Sequence, residues 1–85
     1  MTKTITVRYF ASIREAMGTG EETWATTAPT VAALRQELAG RSAQAALALA
    51  EDQPVRQALN QAMCPPDAPI APGDEVAFFP PVTGG

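Results

Sequence analysis

Apolar and polar residues alternate at the start of the chain. Ile5, Val7 and Tyr9 fall on one side of the alternation and Thr4, Thr6 and Arg8 on the other. A period of two predicts a β-strand over Thr4 to Phe10 with one buried face. Ser12 to Met17 predicts a short helical turn closed by Gly18, followed by a turn at Gly18-Thr19-Gly20. The alternation returns over Glu21 to Thr27, where Glu22, Trp24 and Thr26 oppose Thr23, Ala25 and Thr27. This is the second strand of a hairpin, with Trp24 turned inward. The period then changes. Val31, Leu34 and Leu38 recur at i, i+3 and i+7, which makes one apolar stripe on a helix. Thr30 supplies the N-cap, and Gly40 is the residue expected just past the last turn near Ala39.

From Arg41 to Met63 no single period dominates. The alanine-rich stretch favours helix by intrinsic propensity, so Ser42 to Ala50 reads as helical or irregular. Val55 to Gln61 reads as either helix or strand. Four prolines between Cys64 and Gly73 (Pro65, Pro66, Pro69 and Pro72) make that stretch turn and extended chain, with a turn at Pro72-Gly73-Asp74. Glu75 to Phe79 is a last strand, with Val76 and Phe78 on one face and Ala77 and Phe79 on the other. The order ββα, an open middle, then β predicts an α+β domain over residues 1–81, with one main helix packed on a mixed sheet. Residues 82–85 form a tail.

Composition narrows the function more than the fold. At 85 residues the chain makes one domain with a thin core and little room for a deep site. Hydrophobic residues at 46% and charged residues at 18% are those of a globular protein. The net charge is −3 and the six basic residues are scattered, which argues against nucleic-acid binding. The longest apolar run, Ala45 to Ala50, is too short to span a bilayer, and Met1 to Thr6 lacks a signal-peptide core. A cytoplasmic location is the expectation. The chain has no histidine, which removes the commonest general base and zinc ligand; no metal site is expected. P-loop and GxGxxG motifs are absent as well. Cys64 stands alone, without a neighbouring base or cationic cluster, and reads as a small buried hydrophobe. If such a chain takes part in catalysis, the expectation is that it brings a group to another protein's site.

The ending singles out that group. Phe78-Phe79-Pro80-Pro81-Val82-Thr83-Gly84-Gly85 runs from a strand through two prolines to a pair of glycines. The prolines favour extended chain directed away from the sheet, and the four residues after Pro81 reach roughly 13 Å. Gly84 and Gly85 lack Cβ atoms, so this strip of backbone can enter a narrow channel and carry the terminal carboxylate of Gly85 with it.

The stretch Val7 to Glu15, the helix Thr30 to Arg35, the segment Ala58-Leu59-Asn60-Gln61 and the ending GDEVAFFPPVTGG occur in one order. Together they resemble the small subunits of molybdopterin synthase, a family of ubiquitin-like sulfur carriers, over nearly the whole chain. That resemblance implies a β-grasp fold with a flexible Gly-Gly tail, and a strand at Arg56 to Gln61. It implies that ATP, used by an E1-like adenylyltransferase, activates Gly85, and that a sulfurtransferase supplies sulfur to leave a thiocarboxylate. Sulfur then passes to cyclic pyranopterin monophosphate in complex with the large synthase subunit, in a heterotetramer. No cofactor is bound by the carrier itself. Partner-binding candidates are Phe10, Arg14, Phe79, Pro80, Pro81, Val82 and Thr83, with Phe10 and Phe79 forming an apolar patch if both face one side of the sheet. Two related readings use the same tail: a carrier for another pathway, such as thiamine synthesis, and a protein modifier joined to lysines. A plain interaction domain with an idle tail is the third.

Overall fold

A computed structural model describes residues 2–50 and 52–80. The chain runs β1 (Lys3–Tyr9), α1 (Ala11–Met17), β2 (Glu21–Thr26), α2 (Val31–Ala39), α3 (Ala43–Leu49), β3 (Arg56–Leu59), β4 (Ala62–Met63) and β5 (Glu75–Phe79). The strands form one mixed sheet in the order β2-β1-β5-β3-β4. β1 and β5 are parallel, with Val7 opposite Val76 and Tyr9 opposite Phe78, and the other pairs are antiparallel. The first and last strands therefore lie side by side at the centre of the sheet.

One face of this sheet, the inner face, carries Ile5, Val7, Tyr9, Val76 and Phe78 and packs on Val31, Leu34 and Leu38 of α2. Ile13 of α1, Leu49 of α3 and Ile70 of the proline-rich segment complete the core. Trp24 turns to this side, as its alternation predicts. It is half-buried, and its Nε1 donates to Glu37 Oε1 on α2 at 2.6 Å. The guanidinium of Arg41 covers the same ring at 4.7 Å. α2 starts as expected, with Thr30 Oγ1 accepting from Ala33 N at 3.2 Å. Ser42 caps α3 in the same way. Arg35 on α2 closes the other end of α3: its Nε donates to Leu49 O at 2.8 Å and its Nη2 to Ala50 O. A cation at the carbonyl end of a helix is favoured by the local dipole.

The open middle resolves into α3 and a small hairpin. Tertiary pairing with β5 overrides the helix propensity of residues 56–59 and makes them a strand. The turn Asn60-Gln61 joins β3 to β4, with φ of 51° and 69°. Two successive left-handed residues give the twist a tight hairpin needs. Asn60 also ties this turn to the start of β5: its Nδ2 donates to Asp74 Oδ1 at 3.0 Å, and its Oδ1 accepts from Glu75 N at 2.9 Å.

Candidate functional site

Among the described residues, no helix covers the outer face of the sheet. Because side chains alternate along each strand, Arg8 of β1, Ala77 of β5, Ala58 of β3 and Met63 of β4 form one row across it. The next row holds Phe79 and Arg56, opposite one another in the β3–β5 register. Phe10 joins this row from the end of β1, where its N–H donates to Phe78 O at 3.2 Å. Directly after it, Ala11 takes φ 52°, a left-handed value that costs a residue with a Cβ about 1 kcal/mol. That sharp corner ends β1 and starts α1.

Phe10 and Phe79 meet edge to face, with ring centroids 6.3 Å apart. Both therefore lie on one side of the sheet. With Met63, Ala58, Ala77 and Pro80 they line an open concavity of about 710 Å³. Phe10 is 39% exposed and Met63 58%, a large share for apolar side chains of this size. Ala58 and Ala77 point outward yet stay buried, because the larger side chains around them form walls. Charge enters at one edge. Arg8 lies under the Phe10 ring at 5.2 Å and between Glu21 and Glu75, at 3.4 and 3.9 Å. Neither approach is as close as a strong charge-assisted bond, and Arg8 Nε makes no hydrogen bond.

Pro80 sits at the lip of this concavity and leads to the chain end. Pro81, Val82, Thr83, Gly84 and Gly85 lie outside the described residues. The boundary between the expected domain, residues 1–81, and tail, residues 82–85, falls there too. Arg14 is not part of the patch. It is exposed on α1 and lies over Gly20 in a separate hollow between α1 and the α1–β2 turn. Cys64 is half-buried, with burial raising its thiol pKa, and its Sγ lies 3.7 Å from Gln57 O. A thiol held in its neutral form is a poor nucleophile. No cluster of metal-ligating side chains occurs among the described residues. Nor is any described helix long and apolar enough to cross a membrane.

Sequence reasoning picked out Phe10 and Phe79 but missed Met63, Ala58 and Ala77. Met63 belongs to a two-residue strand that no period can reveal. Ala77 was visible in the alternation of β5, on the face shared with Phe79, but its size hid its part in shaping the surface.

A mixed sheet in the order β2-β1-β5-β3-β4 wrapped on one main helix is the β-grasp fold of ubiquitin-like proteins. α1 and α3 are additions beside that helix. Within this class the chain belongs to the ThiS family, whose profile matches residues 7–85. It is 52% identical over 81 residues to the molybdopterin synthase sulfur carrier subunit of Escherichia coli, covering 95% of this chain and 99% of that one. Among solved structures, a Haloferax volcanii protein determined in solution matches with a TM-score of 0.83 at 29% identity, over 99% of this chain and 88% of the other. Subunit 1 or 2 of the Helicobacter pylori molybdopterin-converting factor, solved as a protein–protein complex of the two, matches with a TM-score of 0.62 at 26% identity. That match covers 96% of this chain and 99% of the other.

Proposed function

We propose that this chain is the sulfur-carrier subunit of a molybdopterin synthase and that the terminal carboxylate of Gly85 is its working group. The observation that carries this reading is the end-to-end likeness to the Escherichia coli carrier subunit, at 52% identity. The outer face of the sheet supports it, since an apolar patch at the root of the tail suits docking on a second subunit.

The chemistry follows from what a carboxylate lacks. It is a poor electrophile, so a partner adenylyltransferase joins a Gly85 carboxylate oxygen to the α-phosphate of ATP and pyrophosphate leaves. Sulfur delivered by a sulfurtransferase at the sulfide level, as HS⁻, then attacks the acyl carbon, the bond to AMP breaks and AMP leaves, and the sulfur's proton passes to solvent. The product is a thiocarboxylate whose anionic sulfur is a good nucleophile. When the large synthase subunit takes up the tail, transfer to cyclic pyranopterin monophosphate becomes effectively intramolecular. Two deliveries build the dithiolene of molybdopterin. The carrier supplies reach and a docking face, and a chain without histidine can do both. Phe10, Phe79 and Pro80 pack on the large subunit in this reading, while Pro81, Val82, Thr83 and Gly84 occupy its channel. Arg14, in its separate hollow on the α1 side, meets a partner outside the patch. Both activation and transfer take place in the cytoplasm.

Intact mass spectrometry tests this after incubation with ATP, the activating enzyme and a sulfur donor. The expected result is a gain equal to one oxygen exchanged for sulfur, mapped to Gly85. Sulfur mapped to Cys64 would overturn the assignment. Deleting Gly84 and Gly85 abolishes sulfur transfer while leaving thermal stability unchanged; a deletion variant that still supports product formation would make the tail idle. Offering the thiocarboxylate form to the large synthase subunit and to a thiamine-pathway acceptor separates the two carrier roles, and isopeptide conjugates in extract would favour a modifier.

A further inference from the structure

Arg56 stands opposite Phe79 on the outer face, exposed, beside the strand that leads to the tail. Arg8 and Arg41 pair with glutamates, but among the described residues no carboxylate pairs with Arg56. In a chain of net charge −3, it places a cation at the root of the tail. Beside it, Ala58 and Ala77 face one another across β3 and β5 and floor the concavity. They are 7% and 8% exposed although they point outward. A depression floored by methyl groups and walled by Phe10, Phe79 and Met63 suits a bulky inserted side chain better than a flat apposed surface.

We propose that Arg56 is a specificity-determining residue of the carrier. The partner that covers this face pairs a carboxylate with Arg56 and seats one bulky apolar side chain on Ala58 and Ala77. The inference rests on the sulfur-carrier reading, because it identifies the covering partner as the tail-accepting subunit. Docking removes water from the rim of the patch, where a guanidinium and a carboxylate form a two-pronged pair. Opposite charges in register also speed encounter.

The test uses the full-length chain and the large molybdopterin synthase subunit from the same organism, with association followed by stopped-flow fluorescence at low and high salt. Arg56→Glu slows association about tenfold at low salt, the gap closes at high salt, and Arg56→Lys stays near the parent. Ala77→Leu and Ala58→Leu fill the depression and weaken binding about tenfold or more, with thermal unfolding recorded to show that each remains folded. A parent-like rate and salt slope for Arg56→Glu overturns the proposal. So does parent-like affinity in a folded leucine variant. If both leucine variants unfold, the Arg56 series alone decides. If the parent itself fails to bind the large subunit, the carrier reading falls and this inference with it; if the parent binds and the variants match it, only this inference falls.

Discussion

Phe79 and Tyr9 sit on neighbouring central strands, yet their side chains have opposite tasks. Phe79 faces outward and is only half-buried, so its ring contributes little to the core. Phe79→Ala is expected to cost the fold no more than about 1 kcal/mol. In the proposed complex it costs about 2 kcal/mol of binding, roughly a thirtyfold rise in Kd by titration calorimetry. Equal losses in stability and binding would return Phe79 to the core. Tyr9 faces inward and is almost fully buried. Its hydroxyl donates to Glu22 Oε2 at 2.6 Å, and Glu22 is held in turn by Arg41. Burial first, and then the bond to Glu22, raises the phenol pKa above its ordinary value. The folded protein thus prefers the neutral phenol. This preference is fully present below the unfolded pKa near 10 and is lost as pH rises beyond it, at up to about 1.4 kcal/mol per pH unit. Tyr9 is the only tyrosine in the chain. Tyrosinate absorbance should therefore appear together with unfolding, and Tyr9→Phe should flatten the alkaline fall in stability measured by urea denaturation. Tyrosinate formed in a chain that stays folded would contradict this.

Individual elements were legible in proportion to the length of their period. β1, β2, α2 and β5 each repeat an apolar pattern over several residues, and the structure has them within a residue or so of the expected bounds. β3 was ambiguous because Arg56 to Leu59 offers four residues of mixed propensity; what decides its form is β5 lying beside it, a long-range fact. α3 was half-legible, with alanines favouring helix but only Ala45 and Leu49 buried. β4 was illegible for the same reason as its neighbour, and shorter still. The apolar patch followed this rule: the aromatic pair was marked by the alternation of β5 and by the end of β1, while Met63 waited for the hairpin to place it. That hairpin also yields a prediction. Gln61 has φ 69°, where a side chain is strained and glycine is not. Gln61→Gly is expected to stabilise the fold by about 0.5 kcal/mol or more, read as a higher urea midpoint at unchanged slope. A lower midpoint would mean that the Gln61 side chain contributes more than its backbone costs.

The whole molecule is organised around its last strand. β5 lies between β1 and β3, so the centre of the sheet stays open until residues 75–79 are in place. Val76 and Phe78 are fully buried there against the apolar side of α2. A chain ending at residue 74 is expected to show no cooperative thermal transition and no protected amides by hydrogen exchange, since β1 and β3 would lack the strand that joins them. A cooperative transition in that truncated chain would show that the remaining strands can close without it. The topology was readable only in part from sequence: the order of elements was, but the parallel pairing of first and last strands emerges from the packing of the whole.

One consequence follows from this placement. The segment that seals the barrier between core and water is the very segment from which the carboxyl end departs. A copy broken off before or within residues 75–79 loses the centre of its sheet together with everything beyond it, whereas one that lacks only Gly84 and Gly85 keeps its sheet and, under the proposed function, would occupy a partner without delivering sulfur.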